Sequence, residues 1–106
     1  MKRILLFSSS RNSSSTAAGL RLLHELSKEP VDRDNLIVVL MQDAVLLALK
    51  DYGSDFQNIS EAYVLDEHLA KRGFTVQSLR LPFQSTGYDR MVELIMKDET
   101  HVIGSF

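Results

Sequence analysis

Apolar and polar residues alternate along this chain in short blocks, and the blocks differ in period. The most apolar stretch runs from Asn35 to Leu49 and reads NLIVVLMQDAVLLAL. Six apolar residues from Leu36 to Met41 are followed by a polar pair, Gln42 and Asp43, and then by six more apolar residues from Ala44 to Leu49. A run this short and rich in β-branched residues predicts a strand covered on both faces. The second run has no β-branched cluster, and Asp43 is placed to cap it, so it predicts a short helix. Gln42 and Asp43 become the turn between strand and helix, where this stretch meets water.

The remaining blocks follow the same alternation. Ile4 to Phe7 is the apolar part of a first strand, Arg3 to Ser8. The tract Ser8 to Thr16 is almost entirely serine, asparagine and threonine, residues that compete with the backbone for hydrogen bonds and so favour loops and helix starts. A helix is predicted to begin near Ser13 to Ser15. Its inner face would carry Ala17, Ala18, Leu22 and Leu26, with Leu20 and Leu23 alongside. Gly19 weakens this helix or marks close packing on the sheet, and Pro30 cannot continue it. Asp51 to Asn58 reads as an exposed loop. Ser60 to Leu65 is a third strand, and Asp66 caps a short helix through Arg72 with Gly73 closing it. Leu79, Leu81 and Phe83 alternate with Arg80 and Pro82, which predicts a fourth strand, and proline places it at an edge. Thr86 with Asp89 has the spacing of a capping box, opening a helix that buries Tyr88, Met91, Val92 and Ile95, with Leu94 near the seam. Thr100 to Ile103 is a fifth strand. Strands alternating with helices predict a three-layer α/β/α domain with a mainly parallel sheet of about five strands and right-handed crossovers.

Composition narrows the function more than the fold. At 106 residues the chain reads as one domain, long enough to bury roughly 65% of its unfolded surface. A net charge of −2 leaves no basic footprint for nucleic acid. No apolar run reaches the ~20 residues of a membrane span, and the run ending at Phe7 is too short for a secretory signal. A soluble cytoplasmic protein with no direct nucleic-acid or membrane partner is expected. The chain has no cysteine, which removes disulfides, thiolate nucleophiles and sulfur carriage on its own side chains.

Three places carry candidate chemistry. A polar loop between a first parallel strand and its helix is where α/β folds hold phosphates, on free backbone N–H groups and the helix dipole. Ser10, Arg11, Ser13 and Ser14 are the candidate anion ligands there. ILLFSSSRNSSST is similar to the phosphate loop of flavodoxin-like FMN reductases, although serine stands where their glycine is usual; the same loop also reads as a helix cap that binds nothing. Gln42 and Asp43 lie at the carboxyl end of a central strand, where open α/β sheets bind ligands, and read equally well as cap and turn. His24, His68 and His101 match no metal-binding spacing, so neither a metal nor a cofactor is expected. The helix Ala44 to Leu49 is apolar all round, hence buried all round. In a domain this small, one side of it is expected to meet another subunit, which makes Val45, Leu46 and Leu49 candidate contact residues.

With these elements placed, VVLMQDAVLLAL resembles the signature of the DsrE/DsrF/DsrH-like sulfur-relay proteins, and most closely the small DsrH/TusB branch. There a buried strand ends in a Gln/Glu/Asn-Asp/Asn-Gly pattern before a short apolar helix; Ala44 stands here in place of the glycine. AYVLDEHLAKRGF, Ala62 to Phe74, is similar to the branch's strand, acidic helix start and Ala-Arg-Gly ending. GYDRMVELIMKDE, Gly87 to Glu99, resembles its last helix. The resemblance implies a subunit that assembles with DsrE/TusD-like and DsrF/TusC-like partners, or with itself. It implies a role in passing persulfide sulfur toward 2-thiolation of the tRNA wobble uridine or toward sulfur oxidation. With no cysteine, no catalytic residue carries over, and an accessory role is expected. The alternative from another class is a small flavin- or phosphate-binding domain using the loop Ser8 to Thr16.

Overall fold

The computed structural model describes residues 2–10, 12–29, 34–50, 56, 59, 61–97 and 100–106. Five strands form one sheet: β1 (Lys2–Phe7), β2 (Leu36–Leu40), β3 (Glu61–Leu65), β4 (Phe83–Thr86) and β5 (Thr100–Ser105). All pairs are parallel, and the spatial order is β4-β3-β2-β1-β5. Among the described residues, three α-helices lie in the crossovers between strands: α1 (Ser14–Leu26), α2 (Asp66–Lys71) and α3 (Tyr88–Met96). The expected α/β class with a parallel five-stranded sheet is the observed one.

The order explains the layering. The first four strands are laid side by side in one direction, and the last connection reverses, from β4 across to the far side of β1. Right-handed crossovers that run in one direction share a face of the sheet, and a reversed one falls on the other. One core accordingly joins Leu5, Phe7, Val38, Leu40, Ala62 and Val64 to Leu23 of α1, Leu69 of α2 and the segment after β2. The opposite core is smaller: Ile4, Ile37, Val39 and Leu65 meet Met91 of α3. β2 is buried along its whole length, as its unbroken apolar run requires.

Several elements differ from their sequence-based expectation. The segment after β2 is a 3₁₀ helix, Gln42–Ala48, and its first-turn Asp43 caps nothing. The fourth strand lies later than the alternation around Leu79 suggested. Leu79 instead makes a single antiparallel bridge to Leu49, Leu81 is 90% exposed, and the strand begins at Phe83. The alternation came from a strut tying the 3₁₀ helix down, in which Lys50 N–H donates to Ser78 and Arg80 N–H to Ala48. β4 is an edge strand, as the proline implied. Thr86 ends β4, and the cap position of α3 is Gly87, with no side-chain cap. Asp66 lies inside the first turn of α2, where its charge suits the dipole without a capping bond. Gly73 does close α2: at φ 81° it takes the left-handed conformation, and its N–H donates to Ala70.

Two helices are rotated relative to the expectation. α1 buries Thr16, Gly19 and Leu23, while Ala17 and Ala18 face water. A Cβ at Gly19 would lie 2.5 Å from the Phe7 ring and 2.6 Å from the Phe106 ring, so glycine is what lets α1 sit this close. α3 buries Met91, with Leu94 and Ile95 half-buried, and Tyr88 and Val92 are 61% and 40% exposed. Most of the predicted loop Asp51 to Asn58 lies outside the described residues. Phe56 within it is buried and stands edge-on to Phe7 and Phe83, with ring centroids 5.6 and 5.4 Å away.

Candidate functional site at the carboxyl end of the sheet

The turn after β2 is held by side chains from α2. Gln42 has φ 53°, a left-handed conformation that costs a non-glycine residue roughly 1–2 kcal/mol. Its N–H donates to Nδ1 of His68 at 2.8 Å. His68 therefore presents a lone pair at Nδ1, and its other ring nitrogen carries the proton. Arg72, one helical turn on, donates from Nη2 and Nε to Oδ1 of Asp43 at 2.8 and 3.3 Å. A third donation, Nη1 to the His68 carbonyl at 3.0 Å, fixes the guanidinium. Gln42, Asp43, His68 and Arg72 thus form one cluster.

The sequence located the first two residues of this cluster and missed the others. Asp43 is an ion-pair partner, not a helix cap. His68 matches no metal spacing in the sequence, and Arg72 stands there only as the end of a short helix. Gln42 and His68 are 26 positions apart, so only the fold brings them together. The start of α2 directly after β3 was the available signal, because it opens this short helix at the carboxyl end of the sheet, beside the turn.

The serine loop is arranged differently from the expected anion cradle. Ser8 and Ser9 N–H groups both donate to the Phe106 carbonyl, at 3.1 and 3.2 Å, and Ser13 N–H donates to Ser10. Ser13 is the cap of α1, its hydroxyl accepting from Ser15 N–H. Buried Thr16 donates its hydroxyl to the Ser9 and Ser10 carbonyls. The amides a phosphate would need are largely occupied by the protein itself. Ser10 and Ser14 are exposed, and Arg11 lies outside the described residues. Nothing here favours the flavin or phosphate alternative.

The proposed contact residues are also placed. Val45 and Leu49 are buried within this chain, at 0% and 6% exposure, and Leu46 is half-buried. The 3₁₀ helix is covered by the sheet, α2 and the Leu79 strut, so its apolar character needs no second subunit. Among the described residues, no group of three or more His, Asp or Glu is placed to hold a metal, and no helix is long and apolar enough to cross a membrane.

Comparison with known proteins decides the family. The family model described as "DsrH like protein" matches residues 12–101, a span containing the Gln42 turn and all of α2. The chain belongs to the DsrH-like family. DsrH-like proteins work in complexes with DsrE- and DsrF-like partners, which makes this chain a sulfur-relay subunit at the level of its family. Comparison with curated proteins gives no match. Among solved structures, the YchN protein of Escherichia coli is similar at 19% identity and a TM-score of 0.75, with both chains covered in full. Protein Tm0979 of Thermotoga maritima is similar at 14% identity and a TM-score of 0.56, covering 87% of this chain and 88% of its own. At these identities the two structures support the fold of this DsrH-like chain and nothing finer.

Proposed function

We propose that this chain is a non-catalytic subunit of a cytoplasmic DsrEFH/TusBCD-type sulfur-relay complex, shaping the site of a cysteine-bearing partner. The observation that carries this reading is the combination of a DsrH-like fold with 106 residues that include no cysteine. Persulfide transfer proceeds by thiolate attack on sulfur, and a serine hydroxyl neither forms nor exchanges a persulfide. The relay chemistry then resides on a DsrE/TusD-like subunit. This chain contributes the Gln42–Asp43 turn, pinned by His68 and Arg72, together with apolar surface for contact. That surface is supplied by exposed Tyr88, Val92 and Met96 on α3 and by Val102 and Ile103 on β5, in place of buried Val45 and Leu49. The downstream use of the sulfur is 2-thiolation of the tRNA wobble uridine or sulfur oxidation.

The test is co-expression with a DsrE-like and a DsrF-like protein, followed by gel filtration and transfer of radiolabelled sulfur from a persulfide donor. Co-elution of this chain, with label on the partner's cysteine and none on this chain, is the expected result. A chain that stays monomeric at high concentration and captures neither partner defeats the proposal.

A further inference from the structure

The open face of the sheet carries a groove that the family turn does not use. α3 starts one residue after β4 and crosses toward the opposite edge. It leaves the β3–β4 side of this face uncovered, and a cavity of about 220 Å³ lies there. Its floor is Tyr63, Met91 and Leu94, and its sheet wall is Gln84 and Thr86. Parallel register places Tyr63 beside Gln84 and Leu65 beside Thr86, so the side chains of Gln84 and Thr86 project on the face that α3 packs against, while Ser85, beside Val64, projects on the other. The helix wall is Arg90 and Glu93 of α3 with Lys97, its C-cap residue, and spacing of three and four keeps them on one side of the helix.

The polar groups of this groove are unevenly matched. Tyr63 donates its hydroxyl to Glu61 at 2.7 Å, and Glu61 accepts from Lys2 at 2.7 Å, so the phenol is fixed and neutral. The side chains of Arg90, Lys97 and Gln84, by contrast, make no hydrogen bond or ion pair with any described residue, although the Lys97 charge is felt at Glu61 and the Arg90 charge at Tyr63. Two cations and one carboxylate, an amide and a hydroxyl thus surround an apolar floor. A concave site with few convergent polar groups over apolar side chains is the usual form of a small-molecule pocket, and this one is sized for a ligand below the drug range. We infer that the groove binds a small organic anion. Its acidic group is taken by Arg90 and Lys97, with Gln84 and Thr86 bonding the same end, and its body lies on Tyr63, Met91 and Leu94. The site is independent of the sulfur-relay reading and lies outside the Gln42–His68 cluster.

The test is an amide-detected NMR titration of the full chain with phenyl phosphate, with inorganic phosphate and benzyl alcohol as separate arms. Saturable shifts confined to Tyr63, to residues 84–86 and to α3 are expected with phenyl phosphate. Inorganic phosphate, lacking a body, should bind the same residues more weakly, and benzyl alcohol, lacking charge, should not saturate. Arg90→Gln should weaken phenyl phosphate about tenfold, the scale of one charge-assisted hydrogen bond, and Lys97→Gln less. Both residues are exposed, and an unchanged amide spectrum away from the groove confirms that each variant is folded. Non-saturating shifts, shifts centred on the serine loop, or an Arg90→Gln variant that binds equally well would each overturn the proposal.

Discussion

The two faces of this sheet are finished in different ways. One receives α1, the 3₁₀ helix, α2 and the Leu79 strut, and its core extends to Phe56, Phe83 and Phe106. Among the described residues, the other receives only α3, and Leu6, Met41 and Tyr63 remain only half covered. The cause is topological: three connections run one way across the sheet and one runs back. Stability is therefore concentrated on the first face, while the second keeps room for a groove and for contact with other molecules.

Paired truncations give the largest test of this difference. Phe7→Ala on the closed face should cost about 3–5 kcal/mol, and Met91→Ala on the open face should fall near the lower end of about 2–5 kcal/mol. Urea unfolding of both variants would show whether the faces are as unequal as they look; equal losses would mean that they are not. Gly19→Ala asks how tightly the closed face is sealed. The added methyl meets the buried Phe7 ring and the half-buried Phe106 ring, and overpacking of this kind costs about 1–3 kcal/mol. A neutral result would show that Phe106 moves aside freely.

At the carboxyl end the effects are smaller and differ in sign. Gln42→Gly removes the left-handed strain and should raise stability by up to about 1 kcal/mol. Asp43→Ala removes a largely exposed ion pair and should cost about 0.5 kcal/mol or less. If the Gln42–His68 cluster is a functional device, Gln42→Gly will weaken assembly with the relay partners despite its greater stability.

The smallest effect is titrimetric and reports on the open face. The Tyr63 phenol is pushed up to about 12, by burial first and then by its hydrogen bond to Glu61 and that residue's charge, with Arg90 opposing. Its folded-state value is above the unfolded one, so the stability it contributes is complete below pH 10 and is lost as pH rises toward 12. Glu61 shifts the other way. Burial alone would raise it, but the hydrogen bonds from Lys2 and Tyr63 and the Lys2 and Lys97 charges outweigh burial and hold it below 4.5. Its contribution is complete above pH 4.5 and fades as pH falls through the depressed value. Ultraviolet titration should show the Tyr63 phenolate forming late, and Glu61→Gln should bring that midpoint back toward 10.

What the sequence made legible follows from how local each signal is. The buried strands β1 to β3 and the serine start of α1 are short-range patterns, and they lie where periodicity placed them. The faces of α1 and α3 were misjudged because apolar character alone ranks Ala17 or Tyr88 above Gly19. The deciding contact, the Phe106 ring against Gly19, spans most of the chain. The Leu79 alternation was a real pattern with another cause, a strut and not a ladder. At the site, Gln42 and Asp43 stood out as a polar break in an apolar run, whereas His68 and Arg72 are ordinary residues of a short helix until β2 and β3 pair.

The position of β5 has a consequence for how the chain folds. β1 through β4 can assemble in sequence order, each strand adding to its predecessor. β5 must instead close a loop of nearly the whole chain onto β1. Long loop closure is entropically costly, and such pairings form slowly. The Phe106 carbonyl, which receives the Ser8 and Ser9 amides, is therefore a late bond. Truncating the Phe106 ring should speed unfolding and leave the folding rate nearly unchanged, and until β5 docks, β1 is an open edge on which a strand from another molecule can settle.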